Sequence, residues 1–186
     1  MKKLLTVVFM CLMFVSLQAQ DQDAMQKWME SIQPGPMHQM MSKMVGKWKA
    51  VMVMVDPGSG QEMKSEGTAT YEAILGGRYI KSSFSSTMMG MPFDGMGIDA
   101  YDNIAKEFVS IWIDNMGTGI MVMKGQYDEQ TKTVNLSGDS IDPMSGQPMK
   151  YRSTAKWLDD NTTVFEMYST MNGQEMKMFT MTYTRI

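Results

Sequence analysis

Residues 162–185 read TTVFEMYSTMNGQEMKMFTMTYTR, and this stretch gives the clearest indication of the fold. Two runs rich in β-branched and aromatic residues, 162–170 and 175–185, flank the dipeptide Asn172-Gly173. Runs of this composition are typical of β-strands. Asn-Gly between two such runs predicts a type I′ hairpin turn, because that turn needs positive φ at both central residues. The C-terminal stretch is therefore predicted to be an antiparallel hairpin.

The same pattern extends back along the chain to Lys47. Short apolar or alternating runs are separated by turn-forming residues, most clearly at 56–60, 76–77, 102–103 and 159–161. The intervening runs predict eight more strands, at 47–55, 63–75, 78–88, 96–102, 107–114, 119–127, 133–140 and 149–158. No long helix interrupts them, so neighbouring strands should pair antiparallel in chain order.

About ten strands in a meander favour closure into a barrel, because closure removes exposed strand edges. We therefore predict an all-β, antiparallel up-and-down barrel over residues 46–186. An open two-sheet sandwich is the alternative architecture.

Residues 20–45 are predicted to form a helical extension. Apolar residues recur at helical spacing between residues 24 and 32, and Pro34-Gly35-Pro36 should end that helix. A second short helix is predicted from Met37 to Met44, with Gly46 at its C-cap. We expect these helices to pack against the barrel or to close one of its ends.

Residues 1–19 have the pattern of a secretory signal peptide. Lys2 and Lys3 precede an apolar run over residues 4–15, and Ala19 supplies a small residue for cleavage. The run is shorter than the roughly 20 residues that a membrane span needs. The protein is therefore expected to be exported, as a periplasmic or secreted protein, and not to span a membrane.

Cleavage after Ala19 would also change the chemistry of the chain. It removes Lys2 and Lys3, which leaves 15 basic and 20 acidic residues and a net charge of −5. It removes Cys11, the single cysteine, so the mature chain could form neither a disulfide nor a thiolate metal site. An acidic chain lacks the basic patches that bind nucleic acid, so we expect no nucleic-acid partner.

The most specific motif lies between Gly90 and Thr118. Residues 90–103 read GMPFDGMGIDAYDN, Trp112 and Asp114 follow, and Tyr183-Thr184-Arg185 closes the chain. This pattern resembles an uncharacterised bacterial family, domain of unknown function 1579, over almost all of the mature chain. The resemblance implies a β-rich, often exported domain, and it supplies no catalytic residue. Similarity to ligand-carrying barrels such as lipocalins and nitrobindin is an analogy of fold alone.

The sequence contains no recognisable catalytic arrangement. His38 is the single histidine, and the chain has no Gly-x-Ser-x-Gly elbow, no His-Glu-x-x-His and no phosphate-binding glycine loop. A two-carboxylate hydrolase remains an alternative, although nothing selects a pair. Asp94, Asp99 and Asp102 do not have EF-hand spacing and are predicted to shape turns. We therefore favour a protein that is not an enzyme and needs no cofactor.

A binder of a small apolar or amphipathic ligand is the preferred function. Barrels of more than eight strands enclose space, and flexible methionines suit varied apolar ligands. Serine and threonine among the apolar strand positions indicate a partly polar interior. The candidate ligand-binding residues are Tyr101, Asp102, Trp112, Asp114, Tyr127, Arg152 and Tyr183. The competing role for the first four is to fix the turn and strand pair around 101–114, and an ordinary filled barrel is the alternative to a cavity.

Methionine is unusually frequent and raises a second hypothesis. The chain has 26 methionines, and 23 remain after the predicted cleavage. Soft thioethers select Cu(I) or Ag(I), and a candidate metal site is formed by Met37, His38, Met40, Met41 and Met44. The competing explanation is that methionine fills the core in place of leucine. A structural or interaction module of the cell envelope is a third alternative, and the sequence leaves the oligomeric state open.

Overall fold

A computed structural model describes residues 22–55, 60–88, 90–142, 145–171 and 173–186. The contacts of the chain divide it between Gln33 and Pro34. In the first unit, residues 22–31 form a helix, α1. The predicted signal peptide, residues 56–59 of the first predicted turn and Asn172 lie outside the described residues. None of the described helices is long and apolar enough to cross a membrane.

The second unit contains a closed barrel of ten antiparallel strands. The strands are β1 Gly46–Val55, β2 Glu62–Ile74, β3 Tyr79–Met88, β4 Met91–Asp102, β5 Glu107–Asp114, β6 Met121–Asp128, β7 Thr133–Ile141, β8 Pro148–Asp159, β9 Thr162–Met171 and β10 Gln174–Arg185. Each strand pairs with the next along the chain, and β1 pairs with β10. The predicted up-and-down barrel is confirmed, and the sandwich is excluded.

The β9–β10 hairpin is the one that the C-terminal sequence predicts. Met171 pairs with Gln174, so the connecting loop has two residues. Gly173 has a φ of 78°, a value that glycine adopts without the steric cost of a Cβ atom. The pairing then continues to Thr162 opposite Thr184, with one register shift between Lys177 and Phe179.

The fourth strand begins earlier than predicted. It was expected at 96–102, but β4 starts at Met91, which pairs with Met88 across a tight turn. Pro92 is tolerated there because β4 pairs with β5 only from Gly95 onward. The carbonyl oxygen of Pro92 accepts a hydrogen bond from Asn115 Nδ2 at 3.1 Å instead of from a neighbouring strand.

The second helix, α2, spans Pro36–Ser42 and packs against β3 and β4. The prediction that Gly46 caps this helix is wrong, because Lys43 is the C-cap and Gly46 is the first residue of β1. Backbone hydrogen bonds from Met44 and Val45 to the end of the helix add one more turn before the strand begins.

Trp48 and Arg185 lie where β1 and β10 close the barrel. Trp48 has no exposed surface, and its Nε1 donates to the carbonyl oxygen of Met44 at 2.7 Å. The guanidinium of Arg185 stacks over the Trp48 ring, 4.2 Å from its centroid. It also donates to backbone oxygens of Lys43, Val45 and Asp160. These contacts connect the end of α2, the start of β1, the β8–β9 turn and the end of β10.

Trp48→Ala is therefore expected to destabilise the barrel by about 3–5 kcal/mol, the range for removing a buried aromatic ring. Urea unfolding followed by circular dichroism measures this loss. Trp28→Ala is the matched control, because Trp28 lies on α1 and 56% of its surface is exposed. The control should change stability by about 0.5 kcal/mol or less. Equal losses in the two variants would contradict the role assigned to Trp48.

Candidate functional site

The interior of the barrel contains a cavity of about 480 Å³. Every strand contributes to its wall, because alternate residues of each strand point inward. Met41 on α2 and Met44 in the turn after it complete the wall at one end. The side chains of ten strands therefore leave space inside the barrel that they do not fill.

Methionine and aromatic side chains make up most of the cavity wall. Ten of the described wall residues are methionines: Met41, Met44, Met52, Met54, Met88, Met121, Met123, Met167, Met178 and Met181. The aromatic wall residues are Tyr71, Phe84, Phe93, Phe108, Trp112, Tyr151, Trp157, Phe165, Phe179 and Tyr183. The wall is thus apolar over most of its area and is formed by side chains that can change shape.

A polar group interrupts this apolar wall. Asp99 on β4 and Ser110 on β5 are cross-strand partners, and their side chains are hydrogen-bonded. Tyr71 on β2 and Tyr183 on β10 also share a hydrogen bond, and their ring centroids lie 6.1 Å apart. Both tyrosines interact electrostatically with the Asp99 carboxyl. We call these four residues the Asp99 cluster.

Burial sets the protonation of the Asp99 cluster. Removal from water raises the pKa of Asp99 above its ordinary value, and the hydrogen bond from Ser110 offsets part of that rise. Burial raises the pKa of Tyr183 to about 12 and that of Tyr71 well above its usual range, so both hydroxyls are neutral at physiological pH. Asp99 is nevertheless only half-buried, which we attribute to surface that faces the cavity.

Two other polar side chains of the wall have contrasting partners. Asp114 accepts hydrogen bonds from Trp112 Nε1 at 2.8 Å and from the Met116 backbone N–H at 2.9 Å. Trp157 Nε1 is buried and donates to no acceptor among the described residues. An unpaired buried donor of this kind costs about 1–3 kcal/mol.

The structure places three of the seven candidate ligand-binding residues on the cavity wall: Trp112, Asp114 and Tyr183. Tyr101 and Tyr127 instead pack against the core cluster around Phe108, next to α2. The Tyr101 ring lies 4.8 Å from the Phe108 ring, between centroids.

The remaining two candidates lie outside the cavity. Asp102 accepts hydrogen bonds from the backbone N–H groups of Ile104 and Ala105, and these bonds lower its pKa. They are the contacts of a residue that shapes a turn. Arg152 is on the outer face, where it forms two hydrogen bonds with Glu175 and stacks on the Tyr168 ring.

Three of the four residues of the Asp99 cluster, namely Asp99, Ser110 and Tyr71, were not among the predicted ligand-binding residues. Asp99 was predicted to shape a turn, and that prediction is wrong because it lies within β4 and faces the cavity. Alternation in the run Gly97-Ile98-Asp99-Ala100-Tyr101 could have placed Asp99 on the same face as Gly97 and Tyr101. Ser110 and Tyr71 then follow from the strand register.

Residues of the candidate metal site take part in core packing and hydrogen bonds. His38 is 5% exposed, its Nδ1 accepts from the Gly35 backbone N–H at 3.0 Å, and it also hydrogen-bonds the Tyr101 backbone. Burial lowers the pKa of His38. Met41 and Met44 are core residues.

Among the described residues, no group of three His, Cys, Asp or Glu side chains could hold a metal ion. Thioether binding of Cu(I) stays a prediction that titration against a competing chelator would test.

The family model for DUF1579, a protein of unknown function, matches residues 33–185. The chain belongs to this family. The match spans α2 and the whole barrel, including the Asp99 cluster and the motif between Gly90 and Thr118. None of the curated proteins compared with the chain matches it.

Several solved structures are similar to this DUF1579 protein, and two of them are Rv2717c from M. tuberculosis and a redesigned β-barrel. Rv2717c from M. tuberculosis is 11% identical, with a TM-score of 0.59 over 83% of this chain and 99% of that chain. That similarity shows a shared barrel fold. A redesigned β-barrel is 16% identical over 78% of this chain and 93% of that chain, and its TM-score of 0.41 adds nothing to the fold assignment.

Asp99→Asn is expected to raise the free energy of unfolding at neutral pH. The neutral amide avoids the cost of removing a charged carboxylate from water. The pKa of Asp99 is higher in the folded protein than in the unfolded chain. The wild-type protein therefore loses stability as the pH rises from below the unfolded-state pKa to above the folded-state pKa. The stability gained by the substitution should therefore shrink as pH is lowered toward the unfolded-state value of about 3.9. Urea unfolding across this pH range measures the difference.

Asp139→Asn is the matched control, because Asp139 is exposed and its neighbours Gly138 and Ser140 point inward on β7. It should change stability by about 0.5 kcal/mol or less at any pH in this range. A loss of stability in Asp99→Asn that is the same at all pH values would contradict the raised pKa.

Proposed function

We propose that this DUF1579 protein binds a small apolar or amphipathic molecule inside its barrel. The observation that carries the proposal is the cavity of about 480 Å³ with its methionine and aromatic wall. Ligand sites in proteins are concave, mainly apolar and about 300–1,000 Å³ in volume. Size and wall chemistry therefore both favour a ligand site.

The composition of the wall favours a binder that accepts ligands of varied shape. Methionine has three rotatable bonds and a polarizable sulfur, so it adapts to irregular apolar surfaces. Tyrosine and tryptophan add large apolar faces with hydrogen-bonding tips. The shape of the ligand is thus less restricted than it would be by a wall of branched aliphatic residues.

The polar groups of the wall favour an amphipathic ligand over a purely apolar one. The Asp99 cluster lies on a wall that is otherwise mainly apolar. A few polar groups on an apolar wall fix the orientation of a ligand. A ligand with a polar end would give Asp99 a hydrogen-bond partner that a hydrocarbon could not provide.

We infer further that the protein works outside the cytoplasm. Residues 1–19 support this inference, since they combine a basic start, an apolar run of signal-peptide length and a small residue at the end. N-terminal sequencing of the protein from the envelope or medium of its own host tests the inference. A mature chain that begins near Gln20 is expected, and a chain that retains residues 1–19 would contradict it.

The proposed ligand should remain with the protein when it is purified from its own host. Native mass spectrometry and solvent extraction are expected to reveal a bound small molecule. A clean ligand-free mass, together with no change in melting temperature across a panel of lipids and hydrophobic compounds, would contradict the proposal.

Ala155→Trp is expected to weaken binding of the neutral dye N-phenylnaphthylamine by about ten-fold or more, because Ala155 lines the cavity and a larger ring would occupy it. Dye fluorescence titration measures the affinity. Lys156→Trp is the matched control, since it adds the same ring at an exposed position one residue along β8. Ala155→Leu gives a smaller obstruction if the tryptophan variant does not fold. Equal affinity in wild type, Ala155→Leu and the control would contradict binding in this cavity.

A further inference from the structure

The charges on the cavity wall are all of one sign. Among the described wall residues, Asp99 and Asp114 are acidic, and none is lysine, arginine or histidine. The outer face of the barrel is different, because exposed ion pairs such as Lys49–Glu66 and Arg152–Glu175 combine both signs there. A positive charge inside the cavity would therefore have to come from a ligand.

The two acidic residues of the wall differ in how their oxygens are used. Both carboxylate oxygens of Asp114 accept hydrogen bonds, from Trp112 Nε1 and from the Met116 N–H. The Asp99 side chain is hydrogen-bonded to the Ser110 hydroxyl. A carboxylate has about four lone-pair sites, so one hydroxyl leaves most of its capacity to accept hydrogen bonds. Asp99 is thus the acidic group of the wall that is available to a ligand.

The aromatic groups beside Asp99 also suit a cation. Tyr71 and Tyr183 are close enough to interact electrostatically with the Asp99 carboxyl, and their neutral rings line the same cavity. Trp112 lies two residues from Ser110 on the same face of β5. Aromatic faces attract ammonium groups, most strongly where water is excluded. Carboxylate and rings together resemble the surroundings that proteins use for organic cations.

An anionic amphiphile would meet the opposite situation. A fatty acid carboxylate or a phosphate would bring a second negative charge beside Asp99, with no cationic wall residue to compensate it. Like charges placed together at a desolvated site cost several kcal/mol, and such repulsion is a common source of specificity. The wall therefore discriminates by charge as well as by polarity.

We propose that the ligand of the cavity is an apolar molecule that carries a protonated amine, and that Asp99 binds the amine as its counter-ion. This proposal rests on the proposed function and specifies its ligand class. The apolar part of the molecule occupies the methionine and aromatic wall, while the ammonium group lies between the Asp99 carboxylate and the rings of Tyr71 and Tyr183. A buried carboxylate then has the paired partner that a buried charge requires.

The experiment compares decylamine, decanol and decanoate, which share one apolar chain and differ in charge. Isothermal titration calorimetry at neutral pH measures the affinity of each for wild type, Asp99→Asn and the control Asp139→Asn. Wild type is expected to bind decylamine about ten-fold or more tightly than decanol, and decanoate most weakly. Asp99→Asn should lose about ten-fold or more in decylamine affinity and much less in decanol affinity, because the asparagine amide oxygen still accepts a hydrogen bond but carries no charge. Asp139→Asn should match wild type for all three compounds.

The outcomes separate this proposal from the proposed function. Equal binding of decylamine and decanol by wild type, or tightest binding of decanoate, would overturn the amine proposal and leave apolar binding intact. A preference for decylamine that persists unchanged in Asp99→Asn would overturn the role of Asp99. Failure of all three compounds to bind wild type would contradict both proposals for ligands of this size. Asp99→Asn needs no large change in side-chain shape, and circular dichroism verifies that the variant is folded.

Discussion

The pairing of β1 with β10 closes the sheet into a barrel. Because it joins the first and last strands, the sheet encloses an interior and has no free edge. Trp48 and Arg185 lie opposite each other in this pairing, and the stacked guanidinium also binds the backbone at the end of α2. Closure of the barrel and placement of α2 at its end are therefore stabilised by the same two side chains. The cavity exists only because both conditions hold.

Closure of ten strands also explains why methionine is frequent on the cavity wall. The diameter of a barrel grows with strand number, so inward side chains on opposite walls of this barrel cannot all meet in the middle. Long, unbranched methionine side chains reach further from the wall than alanine or valine and adopt many shapes. The barrel thus gives a structural explanation for the ten methionines of the wall, out of 26 in the chain. The same side chains give the wall the adaptability that the proposed ligand site needs.

The sequence predicts the strands well because their determinants are local. Turn residues mark the ends of the strands, and the hairpin at Gly173 is predicted from the sequence alone. The inward or outward position of a side chain is harder to predict, since a shift of one residue in register moves it to the other face. Arg152 is on the outer face between inward Tyr151 and Ser153, and aromatic neighbours alone could not reveal that. Tyr71 and Asp99 approach each other through the pairing of β2, β3 and β4, whereas Tyr183 is distant in sequence and only closure of the barrel brings it to them.

The Asp99 cluster is also the place where the barrel departs from the ordinary rules of a stable core. Several outer charges form ion pairs, such as Lys49–Glu66 and Arg152–Glu175, and turn aspartates such as Asp102 and Asp128 accept backbone hydrogen bonds. Inside, Asp99 has a raised pKa and a hydroxyl as its partner, and the indole N–H of Trp157 has no acceptor in the part of the chain that the structure describes. Local departures of this kind reduce stability, and in proteins they are concentrated at functional sites. A ligand that supplies a cation to Asp99 would convert the least favourable group of the wall into its most specific contact.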